Sequence, residues 1–315
     1  MVKILIEVKN ITKKYGGSAA VKDISFSAKK GEIIGLLGPN GAGKTTTLNI
    51  LTGCLKANEG TVLINGFDID KEPEKAKADI GYLPDVPPLY PEMTVFEYLR
   101  FVAEIRRVKK ADLDKEVKRV INLAELTTLE DKLIKTLSKG FKQRVGLAQA
   151  VVGSPKIIIL DEPSSGLDPK QITEMRDIIK NLGKRHTVLL SSHILHEVSA
   201  VCDRIIIINK GQIAAMGTMD ELSERMLAGS KIFVKIKGNL NSVKAVFESL
   251  SENFTISKSD KSGISDVVFK GTTSEVLREQ IFKTASQNNL TIIELTPVAM
   301  SLEDVFLEVT EGKIC

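Results

Sequence analysis

Short apolar runs separated by helix-like stretches mark the chain up to about residue 220. Two of these runs, Ile157–Leu160 and Ile205–Ile208, are apolar at every position rather than at every second one. Strands covered on both faces of a parallel sheet show this pattern. We therefore predict an α/β domain, with strands at Ile4–Val8, Glu32–Leu37, Val62–Asn65, Ile157–Leu160, Val188–Leu190 and Ile205–Ile208.

Two stretches in the middle of the chain carry apolar residues at helical spacing. In Pro91–Lys110 the residues Val95, Leu99 and Val102 recur every three or four positions, and Asp112–Leu126 shows the same period. We predict two helices there, within a helical insertion over about residues 86–150 at the side of the sheet.

The pattern changes after about Gly229. Strands are predicted at Ile232–Ile236, Phe254–Ser257, Asp266–Phe269 and Leu290–Leu295, with helices at Leu240–Leu250, Ser274–Asn288 and Ser301–Thr310. The order βαββαβ is typical of a ferredoxin-like domain, followed here by one extra helix. We therefore divide the chain into a large domain over residues 1–228 and a small α+β domain over residues 229–315.

Composition narrows the class of protein. The 315 residues are 43% hydrophobic and have a formal net charge of +4, so the chain can bury a core and does not favour a nucleic-acid partner. The three cysteines, Cys54, Cys202 and Cys315, are scattered, as reduced thiols in the cytoplasm usually are. No stretch approaches about 18 uncharged apolar residues, so we predict no membrane span.

One glycine-rich segment carries a specific binding signal. Gly38-Pro39-Asn40-Gly41-Ala42-Gly43-Lys44-Thr45 matches the pattern G-x-x-x-x-G-K-[ST], between a predicted strand and a predicted helix. In such a loop, backbone N–H groups surround phosphate oxygens, the lysine reaches the β- and γ-phosphates, and the threonine hydroxyl holds Mg²⁺. We assign this segment and the adjacent Thr46 to a nucleotide site. The pattern alone serves ATPases, GTPases and kinases.

Two carboxylates follow a buried strand. Asp161 and Glu162 come directly after Ile157–Leu160. Asp161 fits the outer Mg²⁺ ligand of a P-loop protein, and Glu162 fits a base that polarises water aimed at the γ-phosphate. Alone, the pair would also fit two solvated acids at the start of a loop. Beside the glycine-rich segment, it favours hydrolysis of a nucleotide.

With these motifs in place, the sequence resembles the ATP-binding subunits of ABC transporters. Leu137–Arg144, which reads L-S-K-G-F-K-Q-R, is similar to the family signature L-S-x-G-x-x-Q-R. Ser165–Asp168 resembles the D-loop, and Ser191–His193 resembles the segment with the switch histidine. The matches cover about residues 4–220 and imply an ABC cassette with a helical subdomain. The signature also excludes a P-loop kinase or GTPase.

The resemblance implies that two subunits face head to tail with ATP between them. Ser138 and Gly140 of one subunit would bind the γ-phosphate that Lys44 of the other holds. His193 would hydrogen-bond the same phosphate, and Asp168 would link the two sites. Tyr15 stands where the family stacks an aromatic ring on adenine. From the residues alone, Ser138 also fits a helix N-cap, and Tyr15 also fits a surface or core residue.

One position departs from the family pattern. After Gly81–Pro84, most members carry a Gln that touches Mg²⁺, whereas Asp85 stands here. A carboxylate can also meet Mg²⁺, directly or through water, so we include Asp85 among the metal contacts. The adjacent segment Val86–Pro91 is stiff and apolar. It is either a receiver for a coupling helix of a membrane partner or a rigid surface loop.

The C-terminal segment Ser301–Phe306 resembles the S-L-E-D-x-F tail of the ABC-2 branch, although an amphipathic closing helix explains it as well. That branch implies an ATPase at the inner face of the membrane. It would pair with a second ATP-binding subunit, identical or related, and drive export through separate integral permease subunits. The alternatives are a soluble ABC-type ATPase and an ATP-dependent regulatory module without transport.

Overall fold

The computed structural model describes residues 3–222, 231–248, 254–258, 263–270 and 275–298. Contacts between residues divide the chain into two compact units, Met1–Met219 and Asp220–Cys315. The boundary predicted between residues 228 and 229 lies outside the described residues. No helix among the described residues is both long and apolar enough to cross a bilayer.

A six-stranded sheet forms the centre of the first unit. Its order is β10-β9-β3-β8-β7-β6, parallel throughout except for the antiparallel edge strand β10. These strands are β3 (Ile33–Leu37), β6 (Ile80–Leu83), β7 (Ile157–Leu160), β8 (Thr187–Ser192), β9 (Arg204–Asn209) and β10 (Gln212–Gly217). Every residue of β3, β7 and β8 is buried, which confirms the buried parallel strands predicted from the apolar runs.

A second sheet is antiparallel, with the order β2-β1-β4-β5. Its strands are β1 (Ile4–Tyr15), β2 (Ser18–Lys29), β4 (Glu59–Ile64) and β5 (Phe67–Asp68). The predicted strand Ile4–Val8 is therefore only the first part of a long hairpin strand. One hydrophobic core joins both sheets and the helix α1 (Lys44–Leu51), which follows β3.

Helices cover the side of the central sheet. They are α2 (Pro73–Ala78), α3 (Val95–Ile105), α4 (Leu113–Leu123), α5 (Lys139–Val151), α6 (Pro169–Gly183) and α7 (Leu195–Ser199). The helices α3, α4 and α5 contact one another and form the predicted helical insertion. The prediction of a helix from Pro91 was too long, because Thr94 and Glu97 form a capping box that starts α3 at Val95.

The second unit is a four-stranded antiparallel sheet of order β12-β13-β11-β14. It contains β11 (Lys231–Lys237), α8 (Leu240–Glu248), β12 (Phe254–Lys258), β13 (Ile264–Lys270), α9 (Glu275–Gln287) and β14 (Thr291–Val298). This is the βαββαβ order read from the sequence. Its core includes Phe247 and Phe269 in edge-to-face contact. The predicted helix Ser301–Thr310 lies outside the described residues.

The helix α5 lies very close to the central sheet at Gly81. A methyl group built on Gly81 would overlap the carbonyl oxygen of Ala150, near the end of α5. The Gly81→Ala variant must therefore push α5 away from β6. We expect the free energy of unfolding to fall by about 1–3 kcal/mol and the melting temperature by about 2–4 °C for each kcal/mol.

Thermal unfolding of purified variants measures this effect. Gly17→Ala is the matched control, because no atom lies within 4 Å of a methyl group built there. Equal melting temperatures for the two variants would show that α5 does not depend on this close approach.

Candidate functional site

A cleft lies where strands β3, β6, β7 and β8 end. Because parallel strands present their carboxyl ends at one edge of a sheet, the loops that follow them meet there. The loop after β3 carries the glycine-rich segment, and the other three strands are followed by Asp85, Asp161-Glu162 and His193. The cleft is lined by Ala20, Asn40, Gly41, Gly43, Lys44, Thr45, Thr46, Asp85, Glu162, Ser165 and His193.

The backbone of the glycine-rich loop turns tightly into α1. Gly43, directly before α1, has a φ of 104°, a left-handed conformation that disfavours side chains. A Cβ there would also lie 2.6 Å from the carbonyl oxygen of Ala20. The loop therefore delivers the free N–H groups of a helix N-terminus to the cleft, which is an arrangement that binds anions.

Lys44 is the buried cation of the cleft, with only 6% of its surface exposed. Its ammonium group donates hydrogen bonds to the carbonyl oxygens of Gly38 at 2.8 Å and Pro39 at 3.2 Å. The same ammonium lies 3.2 Å from Oε1 of Glu162. The loop thus holds its own lysine beside the carboxylate that follows β7.

Asp161 is buried and accepts two hydrogen bonds. The Ser191 hydroxyl donates to Oδ1 of Asp161 at 2.6 Å, and the Thr45 hydroxyl donates to the same atom at 3.3 Å. Burial raises the pKa of the Asp161 carboxyl above its usual value, while these hydrogen bonds lower it. Hydroxyl and carboxylate oxygens this close together are the hard donors that Mg²⁺ prefers, so the residues fit such an ion.

Glu162 is held between two other side chains. Besides Lys44 at Oε1, its Oε2 lies 2.8 Å from Nδ1 of His193. Its backbone has a φ of 47°, in the left-handed region that residues other than glycine rarely adopt. The backbone N–H of Glu162 donates to the Ser191 hydroxyl at 2.9 Å. Such local strain persists only where the surroundings over-determine it, and it clusters at functional sites.

Other predicted residues lie outside the cleft lining. Tyr15 is 54% exposed at the end of β1, with the Lys13 ammonium 5.6 Å from its ring centre. Ser138 caps α5 by accepting from the N–H of Phe141 at 3.5 Å, which is the N-cap that the residues alone allowed. Among the described residues, the lining also omits Gly140 and Asp168. These four positions therefore lie outside the lining, as do Gly38, Pro39, Ala42 and Asp161, which are close in the chain to residues that line the cleft.

Sequence reasoning missed two kinds of participant. Ala20 lines the cleft from the β1–β2 hairpin, and no motif marks it. Ser191 supports both acids of the site through its hydroxyl, although the sequence marked it only as a neighbour of His193. Its role follows from the pairing of β7 with β8, which a single sequence does not reveal.

Comparisons with known proteins agree on one family. The family described as "ABC transporter" matches residues 21–165. The chain is 36% identical, over 98% of its length and 96% of the relative's, to an uncharacterised ABC transporter ATP-binding protein, YdbJ, of Bacillus subtilis. It is 33% identical to the linearmycin resistance ATP-binding protein LnrL of the same species, over 97% of this chain and 98% of that one.

Solved structures show the same likeness. An ATP-binding subunit of an ABC transporter superposes with a TM-score of 0.65 at 32% identity, covering 70% of this chain and 92% of that chain. The dimeric ATP-binding cassette MJ0796, bound to ADP and Pi, superposes with a TM-score of 0.63 at 27% identity, covering 68% and 99%. Both likenesses extend over roughly the length of the first unit.

Removal of the buried cation tests the phosphate site. We expect Lys44→Ala to weaken ATP binding at least about tenfold, because a charged hydrogen-bond donor facing the phosphates is lost. Titration with a fluorescent ATP analogue measures the affinity. Lys30→Ala is the control, since Lys30 is exposed just before β3, at the opposite end of that strand. Unchanged ATP affinity of the Lys44 variant would contradict the assignment.

Proposed function

This chain belongs to the ATP-binding subunits of ABC transporters, and from that premise we propose that it hydrolyses ATP to drive export through a separate ABC-2 type permease. The observation that carries the proposal is the position of Glu162 between Lys44 and His193, in a cleft that also presents Thr45 and Asp85. The carboxylate of Glu162, the ammonium of Lys44 and the imidazole of His193 lie together, and we place the γ-phosphate of a bound nucleotide beside them.

Hydrolysis of ATP to ADP and phosphate needs a positioned water and stabilisation of charge on the transferred phosphoryl group. We assign Glu162 as the base that orients and deprotonates the water. Lys44 would face the β- and γ-phosphates, so the incoming anion would replace Glu162 as the partner of the ammonium. That exchange frees one carboxylate oxygen for the water. His193 would hydrogen-bond the γ-phosphate from the other side.

Mg²⁺ is the metal that fits this cleft. The Thr45 hydroxyl and Asp161 would hold it, with Asp85 as a further oxygen donor from the end of β6. A bound ion would supply positive charge that offsets the charge of the phosphates. The carboxylate of Asp85 adds a negative charge that the family's usual Gln would not add.

A second ATP-binding subunit, identical or related, would complete the site. Ser138, Gly140, Asp168 and Tyr15 lie outside the cleft lining of their own chain. Dimerisation would bring Ser138 and Gly140 over the γ-phosphate held by the partner, and Asp168 would link the two sites. Tyr15 would instead stack on the adenine of a bound nucleotide. The dimeric MJ0796 cassette with ADP and Pi, similar over 68% of this chain, supports the arrangement.

The groove beside the cleft is our candidate for the permease contact. Val86, which is 79% exposed, Pro87 and Leu89 line it, and Asp85 lines both this groove and the nucleotide cleft. A membrane partner docked there would sense the site directly. Likeness to a linearmycin resistance ATP-binding protein favours export as the direction. Copurification of the chain from membranes with an integral partner tests this coupling.

Replacement of the base tests hydrolysis itself. In Glu162→Gln the amide keeps the size of the side chain but cannot take a proton, so we expect turnover to fall about 10²–10⁴-fold while ATP binding remains. ATP should then hold two copies together, as detected by analytical ultracentrifugation. Glu74→Gln on α2 is the control, because Glu74 is exposed outside the cleft. Normal turnover of the Glu162 variant would exclude it as the base.

A variant of the signature segment tests dimerisation separately. We expect Ser138→Ala to leave ATP affinity of the dilute monomer unchanged and to weaken ATP-dependent dimerisation. The lost N-cap also lowers stability by about 1 kcal/mol, which thermal unfolding measures. Loss of monomer binding instead would mean that Ser138 serves the nucleotide of its own chain.

A further inference from the structure

Two segments that the proposed function assigns to the partner's side of the site lie against each other within one chain. One is the start of α5, where Ser138 is the N-cap and Gly140 stands in the first turn. The other is the start of α6, where Asp168 is the N-cap. Their separation in the sequence gives no sign that they touch. The side chain between them is Gln171, which no motif marks.

Gln171 contacts both segments. Its backbone N–H donates to Oδ1 of Asp168 at 2.9 Å, and its Oε1 accepts from the N–H of Asp168 at 3.4 Å. The same carboxamide lies over Gly140: a Cβ built there would be 2.5 Å from Oε1 of Gln171 and 2.7 Å from Nε2. Glycine at position 140 thus leaves the space that the Gln171 side chain fills.

Two further contacts, one on each side of Gln171, also join the start of α5 to the segment around the start of α6. The Lys139 ammonium lies directly over Gly166, in the turn before Asp168. One turn along each helix, the buried guanidinium of Arg144 on α5 pairs with Glu174 on α6 and with Glu125 at 2.8 Å. The Arg144 side chain is only 5% exposed while that of Glu174 is 33% exposed, so parting them would leave the buried guanidinium with less compensating charge. The starts of α5 and α6 are therefore fixed to each other on either side of Gln171.

We propose that Gln171 is a positioning residue for the two-subunit ATP site, holding Gly140 and Ser138 in register with Asp168. The inference rests on the proposed function. Closure over a partner's nucleotide needs both segments in place at once. If they are already ordered relative to each other, closure does not have to order them separately, so the dimer forms at lower ATP concentration.

A purely local role for Gln171 is the alternative. It is the third helical residue of α6 and completes a capping box with Asp168. If Gln171 acts only as a cap, replacing it would lower the melting temperature. The amount of dimer would then fall only as far as the fraction of folded protein falls. As a positioning residue, it affects dimer closure in fully folded protein and leaves nucleotide binding by the monomer unchanged. Measurements of ATP-dependent dimerisation and of ATP binding by the monomer, both on folded protein, therefore distinguish the two roles.

The test uses the full chain with Glu162→Gln, in which ATP should accumulate the dimer. Adding Gln171→Ala should raise the ATP concentration for half-maximal dimerisation about fivefold to tenfold, comparable to the loss of one capping interaction. Analytical ultracentrifugation below the melting temperature measures dimer, and a fluorescent ATP analogue at low protein concentration measures monomer binding. Gln212→Ala is the control, since Gln212 is exposed on the edge strand β10.

A second arm tests the contact with Gly140. Gly140→Ala places a methyl group where the Gln171 carboxamide lies, so its loss of dimerisation and that of Gln171→Ala should not multiply in the double variant. The inference would be overturned if the losses of dimerisation multiply in the double variant, or if Gln171→Ala dimerises normally, provided that Glu162→Gln alone still forms the ATP-dependent dimer. If Glu162→Gln itself never dimerises with ATP, the proposed function fails, and the inference fails with it.

Discussion

Parallel pairing of β8 with both β3 and β7 is the constraint on which the site depends. The pairing sets Leu37 beside Ser192 and Leu160 beside Leu190, so that the three strands end within two residues of one another. From this common edge, β8 supports two loops at once. The Ser192 carbonyl oxygen accepts from the N–H of Gly38 at 3.3 Å, and the Ser191 hydroxyl contacts both acids after β7. A shift in this register would separate the glycine-rich loop from the carboxylates of Asp161 and Glu162.

Within that frame, both carboxylate oxygens of Glu162 have a partner, Lys44 at Oε1 and His193 at Oε2. Its ion pair with Lys44 is largely shielded from water, with exposures of 6% and 15% for the two side chains. A triphosphate brings far more negative charge to Lys44 than one carboxylate does. In the proposed mechanism, binding of the triphosphate at Lys44 and release of the Glu162 carboxylate would therefore be one electrostatic exchange, so Glu162 would become available to the water only when a phosphate is bound.

Much of this architecture could be read from the sequence, for identifiable physical reasons. Fully apolar runs such as Ile157–Leu160 predicted buried strands, because few other environments tolerate them. The glycine-rich loop and the acids after β7 were predictable because their chemistry depends on neighbours in the chain. Strand β2 was missed, since its half-buried pattern is interrupted by shifts in register against β1. The helix starting at Pro91 was misjudged because periodicity does not locate a cap.

The rest depends on contacts between residues that are distant in the chain. Gln171 stands in an ordinary amphipathic helix, and only the packing of α5 on α6 shows that its carboxamide lies over Gly140. Ser191 likewise gains its role from strand pairing. Residues of this kind carry no local pattern of their own, so a single sequence marks the groups that do chemistry better than the groups that orient them.

The close approach of Gly81 to Ala150 holds one end of α5 against β6. The helix has thirteen residues and meets β6 near its last turn, while Ser138 caps its other end, where α5 contacts the start of α6. At 1.5 Å per residue the helix is about 20 Å long, so a tilt of about 10° about its contact with β6 would move the capped end by about 3.5 Å. A small rotation beside the sheet would thus displace the starts of α5 and α6 together by about the length of a hydrogen bond.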